Sequence, residues 1–569
     1  MKKQRRTLPA LALLIAAVSY PCLAEPADTL LINGHIYTAN PAQRWVEAIA
    51  IRGDQIEAVG SNAQLKSMQG NATQVIDLQG RMVMPGIIDD HTHFVWASAG
   101  LAGLQIYDAH TVDQVKEMLR AYAAAHPKDS WVYGAGWEYG FFPPTGLPTK
   151  ELLDQYFPDR PIAIMSGDGH SLWVNSKALA VAGITKATPN PGADGGAVHG
   201  IIVHDKDGEP TGVLEEGAKS LVLERLPFSH EQKIGFIKIG MAEANRHGVT
   251  GVVNATGDIP EMELYQELHQ RGELTVRMTT AFAQDVGVKH TLSPAELQTF
   301  EEARKRFNDD WVRAGIIKFF SDGVIETHTA AMLQPYANKP GDSGSTLYTP
   351  EEFRKYFLEL DKRGFQVITH SIGDGAVRTV LDAYEYVEKM DGPRDRRWRV
   401  EHIETINPQD VPRFAKLKVI ASIQPWCCPS PGTPWEDNVG KKLADSEGLR
   451  WQAIEAAHAI VALGSDWPVT PINPFPTMQV ALTQQSDYGR RVRFHPDQAF
   501  TLEQVLDGYT RNSAYAEFRD KKLGTLEPGK LADLIVLSND LSKIPADQVG
   551  HTEVLLTMVG GKPVWRHGI

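Results

Sequence analysis

Six side chains with metal-binding or acid–base chemistry each close a short apolar run: His91, His93, Lys318, His370, His402 and Asp466. His91 and His93 are two residues apart, so on a strand both imidazoles point to one face. Two imidazoles on one face can reach a single ion at about 2.0–2.1 Å. A bare His-x-His also occurs as two satisfied surface histidines; here its weight comes from the preceding Met84-Pro85-Gly86-Ile87-Ile88-Asp89-Asp90. Lys318 lies inside Ile316-Ile317-Lys318-Phe319-Phe320, where an unpaired ammonium is costly to desolvate. Two arrangements relieve that cost. One is an internal salt bridge to Asp322, which alternation places on the same face; the other is a carbamate formed with CO2, an anion able to bridge two metals. His370 ends the run 365–370 and His402 ends the run 399–402. A lone histidine after a strand is usually structural, but two on consecutive strands beside a His-x-His read as ligands. Asp466 follows the run 460–465 and can hold a metal, take the proton of an activated water and pass it to a leaving nitrogen. It could instead be a helix N-cap, because Pro468 can open a helical turn. Together the six can hold two divalent ions around a water, which is the equipment for hydrolysis. Zinc suits these ligands best, with manganese, iron or cobalt left open.

These residues need elements to bring them together. Strand candidates at 248–256, 275–282, 315–322, 366–370, 399–404, 419–424 and 460–465 follow the strand ending at His91-Thr92-His93, which makes eight. Amphipathic segments at 230–247, 259–274, 294–309, 350–363, 376–390, 408–416 and 449–458 precede most of them. Eight parallel strands alternating with helices predict an α/β fold, a (β/α)8 TIM barrel over residues 85–520, with catalytic side chains at the C-terminal strand ends. All six residues fall there. The rhythm breaks once: residues 95–229 are far too long for a loop and read as an inserted domain or lid over the barrel mouth. Within the insertion Trp137 and His170 are candidate substrate contacts, and Gln424 after the seventh strand is a third. Trp96, Trp137 and Trp173 hint at an apolar or aromatic substrate, although tryptophan is as often core.

Residues 25–84 alternate strand-like runs with turn signals at Asn33-Gly34 and Gly53-Asp54, as in a small antiparallel sheet. Residues 521–569 repeat the pattern, with Gly560-Gly561 as a hairpin turn. The two ends are expected to join into one β-sandwich. The first 24 residues have the form of a secretory signal: Lys2, Lys3, Arg5 and Arg6, an apolar stretch, then Cys22-Leu23-Ala24 with cleavage expected after Ala24. This predicts a periplasmic or secreted protein, exported by the general or the twin-arginine route. A retained membrane anchor is the alternative, although the apolar run falls short of the ~20 residues a spanning helix needs. Loss of the four basic residues takes the formal charge from −13 to −17, which argues against nucleic acid and anionic membranes as partners. A small-molecule substrate is the expected partner, and a homodimer is allowed. Only Cys427 and Cys428 would remain, so the chain is no disulfide framework; the pair reads as loop or pocket wall.

The sequence resembles the amidohydrolase superfamily. The elements, in family order, are 84–93, Lys318-Phe319-Phe320-Ser321-Asp322-Gly323, His370-Ser371-Ile372-Gly373-Asp374-Gly375, Glu401-His402, Gly464-Ser465-Asp466-Trp467-Pro468 and the tail 523–534. The insertion, with 169–177 and Gly208-Glu209-Pro210-Thr211-Gly212, is similar to that of the branch containing N-substituted formamide deformylases. The resemblance implies a bimetal centre with His91, His93 and Asp466 on one ion, His370 and His402 on the other, and carbamylated Lys318 between them. It implies hydrolysis of a non-peptide C–N bond in an amide or formamide, with Asp466 as the catalytic base. Deamination or ring opening of a heterocycle stays open, as does a metal-dead binding or regulatory protein. One departure matters: after Gln424-Pro425 the chain reads Trp426-Cys427-Cys428-Pro429-Ser430, where relatives tend to have a polar segment with His or Asp. The substrate of any one relative therefore does not carry over.

Overall fold

The computed structural model describes residues 25–569 apart from 144–145, 194–199, 284–288, 290–291, 428–433, 487–491 and 494. The export signal read at 1–24 and the side chains of the Cys427–Cys428 pair lie outside the described residues. Eight strands form one parallel sheet in chain order: β1 (Ile87–Thr92), β2 (Val249–Gly257), β3 (Arg277–Phe282), β4 (Val312–Phe320), β5 (Gln366–Ser371), β6 (Arg399–His402), β7 (Ile420–Ile423) and β8 (Val461–Leu463). β8 returns to β1: Asp466 N donates to His91 O at 2.8 Å and His93 N donates to Trp467 O at 2.7 Å, so the barrel nearly closes. Because helices cover the outside, most strands are buried on both faces and read as continuous apolar runs rather than alternating ones.

The helices begin where local chemistry says they should. Ser229 and Thr349 each form a capping box, with Gln232 and Glu352 respectively, and Pro294 and Pro350 occupy first helical turns. The helix Pro350–Lys362 buries Phe353, Phe357 and Leu360, a spacing that lines one face. These residues join the large apolar cluster between helices and barrel.

The insertion is a mixed α/β unit with its own six-stranded sheet. Val132–Trp137 and Ile162–Ser166 pair in parallel, and Ser171–Val174, Pro210–Glu216 and Gly200–His204 extend the sheet antiparallel. Two apolar clusters lie within it, one containing both Trp137 and Trp173. At the chain ends, Leu534–Leu537 pairs antiparallel with both Met82–Pro85 and Val554–Val559. Gly560 and Gly561, both at positive φ, turn Val554–Val559 into Lys562–Arg566. A second sheet contains Thr29–Ile32, paired antiparallel with Ala48–Arg52 but parallel with Gln74–Asp77, so it is mixed rather than wholly antiparallel. Residues of both sheets share one apolar cluster. A buried Arg277–Asp533 pair, bidentate at 2.6 and 2.9 Å, ties β3 to the C-terminal strands. No described helix is long and apolar enough to cross a membrane.

Candidate active site

All six candidate ligands stand at the C-terminal ends of barrel strands: His91 near the end of β1 and His93 just after it, Lys318 in β4, His370 in β5, His402 at the end of β6 and Asp466 after β8. His402 and Asp466 have φ of +70° and +59°, a left-handed conformation that non-glycine residues adopt at a cost and that concentrates at functional sites. Ligand atoms of His91, His402 and Asp466 lie within 4.8 Å of one another. His93 Nε2 is 2.9 Å from Asp466 Oδ1, and the His402 ring lies 4.9 Å from His91 and 4.6 Å from His370. Lys318 Nζ is 3.3 Å from His91 Nε2. Six side chains distant in sequence thus converge.

The backs of three imidazoles, His91, His93 and His370, are pinned, which fixes what their fronts can do. His91 Nδ1 meets Glu401 Oε2 at 2.5 Å. A carboxylate only accepts, so the proton sits on Nδ1 and the Nε2 lone pair faces the cluster. His370 Nε2 donates to Gly323 O at 3.1 Å, leaving Nδ1 bare. His93 Nδ1 pairs with Thr256 Oγ1 at 2.5 Å. Glu401 is held by Arg399 through Nε and Nη2 at 2.8 and 3.0 Å, and Arg399 also binds Asp90 Oδ1 at 2.8 Å. Burial and then the Lys318 charge lower the basicity of His91 and His370; burial and then the neighbouring His370 do so for His402. The neutral rings have lone pairs to offer. Burial brings the Lys318 ammonium down to about 8, with Glu401 and Asp466 opposing.

Asp322 takes a role of its own. Its carboxylate accepts from the backbone N–H groups of Ala331, Ile372 and Gly373 at 2.9, 3.1 and 2.9 Å, bracing the loops after β4 and β5. Asp89 similarly accepts from Ser465 N at 2.9 Å, joining the ends of β1 and β8. Glu401 enters the sequence motifs only as part of Glu401-His402, not as the partner of His91, and Thr256 carries no motif. The signal available for Glu401 is alternation, which sets Arg399 and Glu401 on one face of β6.

Above the cluster opens a cavity of about 890 Å³, walled by the barrel and the insertion. Trp96 and His170 line it, and Trp96 tilts over His93 at 5.4 Å. Of the three expected substrate contacts only His170 lines this cavity. Trp137 is fully buried in the insertion core and its Nε1 donates to Ile164 O at 3.0 Å. Its position at the end of a buried strand, not at the mouth, explains the difference. Gln424 is buried beyond β7, outside the cavity wall, with Nε2 3.5 Å from Ser422 Oγ. Trp173 is also core.

The sequence model of the amidohydrolase family matches residues 74–565. Protein LONG AFTER FAR-RED 3 of Arabidopsis thaliana is 30% identical over 552 residues, covering 95% of this chain and 92% of that one. N-substituted formamide deformylase of Arthrobacter pascens is 25% identical, covering 95% and 98%. Among solved structures, an uncharacterized metal-dependent hydrolase of Pyrococcus horikoshii OT3 shares the fold with a TM-score of 0.71 at 23% identity, over 91% of this chain and 99% of that one. With a nearly closed eight-stranded parallel barrel and a family match across most of its length, the chain belongs to the amidohydrolase family.

Proposed function

We propose that this protein is an exported, metal-dependent hydrolase that cleaves a non-peptide C–N bond of an amide or formamide. The observation that carries the reading is the convergence of His91, His402 and Asp466 within 4.8 Å, with His402 and Asp466 lining the cavity above. The donor set fits a cation. The His91 lone pair faces Asp466 Oδ1 at 3.5 Å, and that buried oxygen accepts no well-aligned hydrogen bond despite its close contact with His93. Electron-rich atoms aimed at one another are stable only with positive charge among them.

His91, His93 and Asp466 would hold one ion, His370 and His402 a second, and Lys318, carbamylated by CO2, would lie between them. Zinc is the preferred metal on ligand type. When bound, such ions acidify water and polarise a carbonyl oxygen. The chain's own residues do the rest. Asp466 takes a proton from the attacking water and gives it to the leaving nitrogen. Glu401 and Thr256 hold His91 and His93 in the tautomers that ligation needs. Trp96 and the neighbouring aromatic wall exclude bulk water and offer an apolar face to the substituent on nitrogen.

Metal analysis of the purified protein, coupled to a screen of N-formyl and N-acyl compounds with product identification, tests the reading. The expected result is bound divalent metal and release of an acid and an amine. Release of ammonia would instead favour deamination, and absence of metal after growth with zinc and bicarbonate would sink the proposal. Amino-terminal sequencing of the exported protein should begin at Glu25.

A further inference from the structure

The imidazoles in or beside the cluster are held at the ring, with one exception. His91 meets Glu401, His93 meets Thr256 and His370 meets Gly323 O. His170, on the insertion, has Nδ1 paired with Glu216 Oε1 at 3.0 Å. The ring of His402 makes no hydrogen bond among the described residues, and Asp466 Oδ2 stands 3.8 Å from its Nδ1. Whatever aims this imidazole acts through the backbone.

That backbone is strained. His402 and Ile403 are consecutive left-handed residues, with φ of +70° and +54°. A Cβ crowds the following carbonyl in this conformation, and a branched side chain such as isoleucine adopts it least readily. Such a pair persists only where its surroundings over-determine it. Outside the strand ladders, no described backbone N–H donates to His402 O or Ile403 O, and buried carbonyls need donors. One indole serves both: Trp451 Nε1 donates to His402 O at 3.1 Å and to Ile403 O at 2.8 Å. Trp451 is 2% exposed and opens the helix Trp451–Ala456. The residues before it lie along the same turn, with Ile406 N donating to Glu447 O at 3.0 Å and Leu449 N to Glu404 O at 2.8 Å. On the other side Ile403 N donates to Ser371 O at 3.1 Å and Thr405 N to Ile372 O at 3.0 Å, which ties the turn to β5, the strand of His370.

A tryptophan that only filled the core could give its N–H to any buried acceptor. Trp398 does so at the opposite end of β6, where Nε1 donates to Phe365 O at 3.3 Å. Trp451 instead places its one donor on the carbonyls of the candidate ligand and of the residue after it. We propose that Trp451 is a positioning residue for His402: its indole N–H locks the left-handed turn from which the unpinned imidazole reaches the cluster. It does through the main chain what Glu401, Thr256 and Gly323 do through ring nitrogens. Without that donor, φ of His402 relaxes toward negative values and the Cα–Cβ bond turns. The ring, 4.9 and 4.6 Å from those of His91 and His370, then swings away from the ion it would hold. This rests on the metal-dependent reading of the site.

The test replaces Trp451 in the full chain by 3-benzothienylalanine, which keeps the indole shape with sulfur in place of N–H, and separately by phenylalanine. Trp398→3-benzothienylalanine is the control, since it removes another buried N–H bond away from the cluster. Zinc affinity is read by competitive titration against a chromophoric chelator, with melting of the metal-free protein alongside. Trp451→3-benzothienylalanine should weaken the zinc Kd at least about tenfold while its metal-free melt stays close to wild type. Trp451→Phe should lose affinity similarly and also melt lower, because of the volume it vacates. The Trp398 variant should keep the wild-type Kd. In metal-free protein, amide hydrogen exchange of peptides covering 402–406 should quicken in both Trp451 variants and not in the Trp398 variant. A zinc Kd for Trp451→3-benzothienylalanine within about twofold of wild type, or an equal loss in the Trp398 variant, overturns the assignment. If wild type itself binds no zinc, the metal-dependent reading is what fails, and exchange decides the role of Trp451: quickened exchange supports its hold on the turn, and unchanged exchange overturns it.

Discussion

Replacing Glu401 by glutamine should uncouple metal affinity from folding. Glu401 accepts from His91 Nδ1 at 2.5 Å and from Arg399 at 2.8 and 3.0 Å, all fully buried. Oε2 accepts from both His91 Nδ1 and Arg399 Nη2, and Oε1 accepts from Arg399 Nε. A glutamine therefore turns its oxygen to the Oε2 position, keeping the His91 contact and setting its N–H₂ against Arg399 Nε alone. The neutral amide oxygen is a weaker acceptor than the carboxylate, so it orients the His91 ring less firmly and leaves its Nε2 a poorer ligand. Loss of such an outer partner lowers metal affinity about 10–100-fold, or about 1.4–2.8 kcal/mol. The assay is competitive titration of zinc against a chromophoric chelator, with thermal melting of the metal-free protein alongside. Glu401→Gln should show the weakened Kd while its metal-free melt stays close to wild type. Glu401→Ala should in addition destabilise the fold by about 3–5 kcal/mol, because Arg399 and His91 lose a buried partner outright. An unchanged zinc Kd in Glu401→Gln would refute the claim that this carboxylate tunes His91 as a ligand.

Three further outcomes follow from the same geometry. Asp466→Asn should lower kcat by about 10²–10⁴-fold while leaving most bound metal in place; activity near wild type would remove Asp466 from the proton path. Asp533→Ala breaks the bidentate Arg277 pair and orphans Gly560 N, which donates to Asp533 at 2.7 Å, so urea unfolding should show a loss of about 3–5 kcal/mol. The His170–Glu216 pair predicts a pH dependence: the His170 ring is raised to about 8 in the fold from an ordinary value near 6.5. Its contribution is then complete below about pH 6.5 and disappears as pH rises through about 8, an effect of about 2 kcal/mol. The difference in unfolding free energy between wild type and His170→Gln should shrink across that window; a flat difference from pH 6 to 9 contradicts the pairing.

The barrel was legible in the sequence because apolar runs recur at regular spacing between amphipathic segments, and the runs of β1, β4, β5, β6 and β8 end near a histidine, lysine or aspartate. All eight expected strands are present, and the helix expected at 350–363 is observed as Pro350–Lys362. The convergence of the candidate ligands was legible for the same reason, since position at a strand end is a local property. Their supports were not. His91 and Glu401 are 310 residues apart, and nothing near either one announces the other. The six-stranded sheet of the insertion is less legible because Gly134 and Gly136 break the apolar pattern of Val132–Trp137, and Gly167 and Gly169 fill the turn between Ile162–Ser166 and Ser171–Val174. Trp137 shows the limit of composition: a large aromatic beside glycines suits a pocket wall and a core equally well. Only the pairing of its strand with Ile162–Ser166 decides between them.

The short strand Met82–Pro85 runs directly into β1, and its neighbours are His35–Tyr37 on one side and Leu534–Leu537 on the other. The segment that presents His91 and His93 is thus clamped by residues from near both extremities of the polypeptide. During synthesis the second side of that clamp cannot close until Leu534–Leu537 has left the ribosome, because no other strand pairs that edge of Met82–Pro85 among the described residues. A change in Leu534–Leu537, far in sequence from His91 and His93, would therefore loosen the segment that presents both imidazoles.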